Sequence, residues 1–297
     1  ENQKKEEKGF LGQAQDAGVS LLKGVVAVPE TIVGLADIPT GGQVGKFIEE
    51  KTPIQFKQTK DAINDWHTDQ YKEQQNQFNE AGQNEDSLAG KVIEKGKVAL
   101  SNPSMIFNTV VESAPSMLAG GAVGRGLGMA SQAIKPIAAG AIGEGAVMAG
   151  QQAENISYET EDKLLTPEQS GIALATGAVG SLFGLVGGQF AKKLGFDDFE
   201  TAMASGRLNS QLVGESIQKM PLSSIPKSII GGALTEGLVE ELPQSVSEQL
   251  LQNYALGKPL DEGVDSAIVM GALAGMAMGG GMNTVSAPKN YFQQNNA

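Results

Sequence analysis

The stretch "GAIGEGAVMAGQQ", residues 140–152, returns as "GALTEGLVEELPQ" at 232–244, an offset of 92 residues with no gap. Gly140, Ala141, Glu144, Gly145, Val147 and Gln152 match Gly232, Ala233, Glu236, Gly237, Val239 and Gln244. The match continues with Pro167 and Pro259, Gly171 and Gly263, and the pairs Gly187-Gly188 and Gly279-Gly280. Each unit reads as a helix, a polar turn, a Pro-initiated helix and a glycine pair. That is an αα-hairpin made twice, over about 136–194 and 228–286.

The second helix of each hairpin decides the fold class. Residues 169–191 and 266–288 are each 23 residues long and carry no charge. At about 1.5 Å per residue, either span matches a hydrocarbon layer about 30 Å thick. Glycine recurs at every fourth position: Gly180, Gly184 and Gly188 in one, Gly271, Gly275 and Gly279 in the other. A further ladder, Gly120, Gly124 and Gly128, is interrupted by Arg125. Interior glycine costs a helix about 1 kcal/mol relative to alanine. The spacing is explained if these glycines let helix backbones approach closely, as small residues do in membrane helix pairs. A tightly packed water-soluble hairpin uses the same geometry. Because the spans are rich in Ala and Gly, not Leu, they read as soluble and packed in one state and membrane-competent in another, beside a purely soluble reading.

The rest of the chain also reads as helical. Aromatics are only 5% of residues, and few stretches alternate at period 2, so the expected fold is all-α. Residues 10–37 suggest a helix pair broken or kinked at Pro29, inside an N-terminal segment 1–52. Residues 53–86 are polar and Gln/Asn-rich, with Ile63, Trp66 and Tyr71 as apolar anchors; they read as a solvated helical linker. From 87 to 288 a Gly/Ala-rich hairpin domain is expected, with helices at 88–100, 103–119, 122–133, 136–158, 167–194, 197–205, 208–219, 226–256 and 259–285. Thr166, Pro167 and Gln169 form a capping-box start signal, and Asp197 is a candidate N-cap. Residues 289–297 are expected to be a disordered tail.

The chemistry of the chain is narrow. Lys plus Arg is 22 and Asp plus Glu is 34, giving a net charge of −12. Such a chain repels phosphates and is a poor candidate for sequence-specific nucleic-acid binding. It could still line a conduit past which DNA slides. With no cysteine, disulfide and thiolate chemistry are excluded. The single histidine, His67, falls in the polar segment and reads as solvated. No metal-ligand spacing or cofactor fingerprint stands out, so neither metal nor cofactor is expected. "GGAVGRG", 120–126, lacks the Lys-Ser/Thr ending of a phosphate loop. Glu112-Ser113 and Glu215-Ser216 echo the glutamate-serine pair of lytic transglycosylases without that family's companion elements. The repeated acids Glu144 and Glu236 have two readings. Each reaches a hairpin's polar end or caps a neighbouring helix, or the two contribute to a polar ring in an oligomeric channel. The first residue, Glu1, suggests a processed chain or a piece of a longer one.

The runs "FNTVVESAPSMLAGGAVGRGL" (107–127), "LTPEQSGIALATGAVGSLFGLVGGQFAKKLG" (165–195) and "GGALTEGLVEELPQSVSEQLLQNYALGKPLDEGVDSAIVMGALAGMAMG" (231–279) resemble the helical, non-enzymatic region of internal virion proteins of short-tailed bacteriophages. "VGLADIPTGGQVGKFIEE", 33–50, is similar to the segment that precedes it in such proteins. The resemblance implies storage in the capsid beside the portal and other core proteins. It further implies departure with the genome, self-association, contact with the host membrane and a conduit across the cell envelope. Two alternatives stand beside it: a structural virion core protein that never meets lipid, or a fragment of a peptidoglycan-degrading virion enzyme.

Overall fold

A computed structural model describes residues 2–130, 134–193 and 239–277. The described residues are all-α, with no strand among them. The helices are α1 (Asn2–Thr40), α2 (Gln43–Lys51), α3 (Phe56–Asn64), α4 (Asp69–Glu80), α5 (Leu88–Ser101), α6 (Pro103–Ala130), α7 (Pro136–Glu159), α8 (Pro167–Lys193), α9 (Leu242–Leu256) and α10 (Val264–Ala277). The expected helices 197–205 and 208–219, and the Asp197 cap, lie outside the described residues.

Helix α7 is the hub. It packs along α8 and α6, and α1 lies across both α6 and α7. Helix α9 rests on α8 and α7, while α3 covers α1 and α4 covers α5 and α6. One apolar core joins Ile38, Ala149, Ala153, Ile156, Leu165 and Ile172 where α1, α7 and α8 meet. A second joins Tyr71, Phe78, Ala99, Met105 and Val269. Neither is large, as expected from a composition poor in aromatics.

Glycine makes the hub possible. A Cβ at Gly34 would run into the Gly150 carbonyl oxygen, and one at Gly150 into the Thr31 carbonyl, so α1 and α7 touch backbone to backbone. Gly145 and Gly177 make the same contact between α7 and α8, and Gly143 meets the Gly120 carbonyl between α7 and α6. Gly24 faces the Glu112 carbonyl and Pro115 across α1 and α6.

Several boundaries depart from the sequence expectations. Helix α1 runs through Pro29. The proline is on the exposed side, while Glu30, Thr31 and Gly34 remain packed on the inner side. Tertiary contact on that side outweighs the missing backbone donor. The helices expected at 103–119 and 122–133 are one helix, α6. The intervening Gly120 and Gly121 are buried in it, with Gly120 against α7, and are not breaks. Helix α10 begins at 264, later than expected, because Gly257 and Gly263 adopt positive φ, 65° and 73°. The Asn253 side chain ties that turn down by donating to the Leu260 and Glu262 carbonyls, at 3.1 and 2.8 Å.

The polar segment is docked, not solvated. Ile63, His67, Tyr71, Gln74 and Phe78 are buried. The capping box forms as read: Gln169 N–H donates to Thr166 Oγ1 at 3.1 Å, and Thr166 N–H to Gln169 Oε1 at 2.9 Å.

The glycine contacts generate a test. Gly150→Val drives a side chain into backbone and is expected to destabilise the chain by about 3 kcal/mol or more, at the upper end of overpacking costs. Gly96 and Gly171, whose Cβ positions meet nothing within 4 Å, serve as controls. Alanine at either is expected to stabilise by ~0.5–1 kcal/mol. Urea unfolding midpoints of the three variants check both signs.

Candidate functional site

Helix α1 carries Asp16, Lys23, Glu30 and Asp37, each seven residues after the last. Seven residues are close to two helical turns, so all four share one face. That face points inward. Asp16 accepts from the Thr68 backbone N–H and hydroxyl, both at 2.8 Å, and lies 3.2 Å from His67 Nδ1. Lys23 pairs with Glu112 of α6 at 3.1 Å. Glu30 is held by Lys60 at 2.7 Å and by the Tyr158 hydroxyl at 2.6 Å. Asp37 accepts from the backbone N–H groups of Val44 and Gly45, at 2.8 and 2.9 Å, and so caps α2. The capped turn uses Gly41 and Gly42 at positive φ.

His67 is therefore not the solvated residue expected. Its ring is buried against Asp16 and stacks near Tyr71, with centroids 4.3 Å apart. Burial pushes its pKa down, and the Asp16 hydrogen bond opposes that push only in part.

A cavity of about 580 Å³ lies between α1, α4, α6, α7, α9 and α10. Helix α6 offers it Thr109, Glu112, Ser113 and Ser116. Helix α7 offers Glu144 and Gln151, and α9 with its N-cap residue Glu241 offers Glu241, Gln244, Ser245 and Glu248. These are positions i, i+3, i+4 and i+7 on both α6 and α9, so each presents a single polar face. Lys23 is the cation in the wall, and it is already engaged by Glu112. The cavity is thus acidic and hydrogen-bonding, suited to water and to cationic or amine groups. Within the Glu112-Ser113 pair, Ser113 donates its hydroxyl proton back to the Thr109 carbonyl at 3.0 Å, and Glu112 is tied to Lys23. Among the described residues no group of three His, Cys, Asp or Glu could hold a metal ion. Glu215 and Ser216 lie outside the described residues.

The repeated acid is central to this wall. Glu144 Oε1 accepts from Gln244 Nε2 at 2.5 Å, which joins the first repeat unit to the second. Its other oxygen and Glu240 Oε1 converge on Gly184, where a Cβ would collide with the Glu144 carboxylate. Gly184 thus makes room for carboxylates. Gly180 faces the Met148 sulfur, and Gly271 faces Ser245 and the Glu241 carbonyl. Gly275 is buried in α10, and Gly188 is in α8. Glu236 and Gly279 lie outside the described residues. Gln152, the counterpart of Gln244, is fully buried with neither amide atom hydrogen-bonded.

Of the closest backbone contacts, those at Gly24, Gly34, Gly143, Gly150 and Gly177 have no mark in the sequence, and Gly145 stands out there only as part of the repeat. Their contact residues belong to other helices and leave no local trace. The α1 charge row is different: its seven-residue spacing is visible in the sequence and is the signal that finds it.

Burial governs the ionisation of the interior acids. Glu154, 5% exposed, is pushed up to about 8 by burial first and then by Asp37 and Glu30, with the nearby Tyr158 hydroxyl opposing the rise. Glu241 is pushed up to about 7 by burial and by Glu248, and Glu248 to about 7 by burial alone.

Neither a protein-family model, nor a curated protein, nor a solved structure matches this chain.

The raised acids set a pH dependence. Glu154 stays protonated in the folded chain up to about 8 but ionises near 4.5 when unfolded. Between those values the unfolded state holds fewer protons, so stability falls as pH rises, by up to about 1.4 kcal/mol per pH unit for each such group. Glu241 and Glu248 act in the same direction up to about 7. Glu154→Gln is expected to match the parent at pH 4.5 and exceed its stability by ~2 kcal/mol or more at pH 8. Denaturant titrations at the two pH values measure the difference.

Proposed function

We propose that this chain is a structural internal virion protein of a tailed bacteriophage, stored in the capsid with portal and core proteins, that enters the host envelope and builds part of a conduit for the genome. Self-association and membrane contact belong to this reading; catalysis by this segment does not. The phage assignment rests on the resemblance of the Gly/Ala hairpins. The membrane part is supported by one observation, the uncharged apolar faces that the two long helices leave exposed. From residue 17 to 39, the exposed positions of α1 are Gly18, Leu21, Leu22, Val25, Pro29, Ile32 and Pro39, with no charge among them. Helix α8 likewise exposes Leu174, Ala175, Ala178, Leu182 and Val186. Both helices are long and apolar enough to cross a membrane, over Leu11–Thr40 and Pro167–Val186. Buried helices of water-soluble proteins pass the same test of length and composition. These two also bury apolar residues, Val33 and Ile38 in α1 and Ile172 and Ala173 in α8, but they leave several large aliphatic residues exposed, which burial in a water-soluble core does not explain. Helix α10, over Val264–Ala277, falls short of a span within the described residues.

A structural core protein that never meets lipid is the second reading. The intramolecular glycine contacts favour it, since they already use the small-residue faces within one chain.

Flotation with phosphatidylethanolamine/phosphatidylglycerol vesicles separates the two. The wild-type chain is expected to float with lipid. The double variant Leu182→Glu/Val186→Glu is expected to lose at least 100-fold in partitioning, because each acid in an apolar span costs about 2 kcal/mol or more. A wild-type chain that stays at the bottom of the gradient at every lipid ratio leaves the core-protein reading. Detecting the chain in intact particles, and its loss from emptied ones, tests the virion assignment.

A further inference from the structure

The outward face of α1 has an order that contact with lipid alone would not require. Taking Leu11 as position a of a heptad, a falls on Leu11, Gly18, Val25 and Ile32, and d on Ala14, Leu21 and Val28. The inward charges Asp16, Lys23, Glu30 and Asp37 then all fall at f, diametrically opposite. The a positions and most d positions are open: Leu11 is 66%, Leu21 46%, Val25 53% and Ile32 62% exposed, Ala14 is exposed, nothing lies within 4 Å of a Cβ at Gly18, and Val28 is half-buried. A seven-residue apolar repeat is the signature of a second helix seated along a seam.

We infer that α1 pairs in parallel with α1 of a second copy of this chain, through a two-stranded coiled-coil seam from Leu11 to Ile32. Three observations choose this occupant. β-Branched Val25 and Ile32 at a, with Leu21 at d, favour two parallel strands. The seam carries no charge, so two copies meet there without repulsion even though each chain is at −12. The stripe runs over about three heptads, roughly 32 Å of helix, with Leu11, Leu21, Val25 and Ile32 each 46–66% exposed along it, a length suited to a paired helix. The f face stays docked on α6 and α7, so pairing leaves the fold of each copy intact. The inference deepens the conduit reading, which needs more than one copy, and is read out without lipid.

The chain has no cysteine, so single cysteines report position without background. Val25→Cys, oxidised in lipid-free buffer, is expected to give a disulfide-linked dimer as the major product. Leu182→Cys on α8, equally open at 63%, is expected to give at least tenfold less. Leu21→Glu/Val25→Glu alters only exposed side chains; it is expected to raise the dimer dissociation constant at least 100-fold by analytical ultracentrifugation while helicity is unchanged. A monomeric parent chain, equal cross-linking at Val25 and Leu182, or a dimer that does not cross-link at Val25 overturns the inference. So does a Leu21→Glu/Val25→Glu chain that still dimerises but no longer floats with vesicles, because the stripe would then face lipid. The α8 flotation variants leave this seam untouched, so the membrane reading and the pairing can fail separately.

Discussion

Backbone-to-backbone contact between helices is the constraint on which this fold depends. With few aromatic side chains, the chain cannot gain stability from large apolar cores. It instead brings α1, α6 and α8 onto α7 until carbonyl oxygens of one helix meet the glycine Cα atoms of another. Dispersion contacts are individually small, and their sum depends on how many atoms touch. A single Cβ at Gly34, Gly145 or Gly150 holds two helices apart along several turns. The helical cost of glycine, about 1 kcal/mol per site, is offset only where the contact exists. Open glycines such as Gly96 and Gly171 carry that cost with no such return.

Close helix approach shapes the electrostatics. Charges on an inward face have little water, so each must find a protein partner. The four inward charges of α1, Asp16, Lys23, Glu30 and Asp37, do so with four different elements: the start of α4, helix α6, the α3–α7 junction and the start of α2. These pairs fix register more than they add stability, since desolvation consumes much of the Coulomb gain. A slip of α1 by one residue would displace all four together. The Glu144–Gln244 bond does a similar task between the two repeat units, with Gly184 opening the space its carboxylate needs.

What could be read from the sequence follows from how local each signal is. The capping box at Thr166–Gln169, the Pro-started helices and the absence of period-2 alternation depend on neighbours in the chain, and they gave the all-α class and the edges of α5, α7 and α8. Pro29, Gly120 and Gly121 were misread because a break and a contact look alike in one dimension. Only the packed partner tells them apart. The polar segment was taken as solvated because its composition is hydrophilic, yet Tyr71, Gln74 and Phe78 are spaced to put one face onto α6. His67 is held by Asp16, fifty-one residues away, a distance at which no periodicity speaks. The acidic cavity was legible only in part: Glu144 stood out by repetition, while Glu241 and Glu248 join it through the turn of α9.

The polarity of the molecule follows from these two facts. Glycine contacts consume the small faces, and the heptad of charges takes the inner side of α1, so its large aliphatic residues are left outside. An ordinary water-soluble chain would reverse the arrangement, because exposing Leu21, Leu22, Val25 and Ile32 forgoes about 25 cal/mol for every Å² left in water. The loss is recovered if those faces are covered, and both long helices carry such faces. Coverage by a neighbouring helix would use the face of α1 that its four inward charges at f fix outward, whereas α8 carries no charge between Gln169 and Ala191 to single out one face. Under the proposed reading, α1 would supply ordered pairing and α8 unordered apolar contact, and α7 holds the two helices together through glycine.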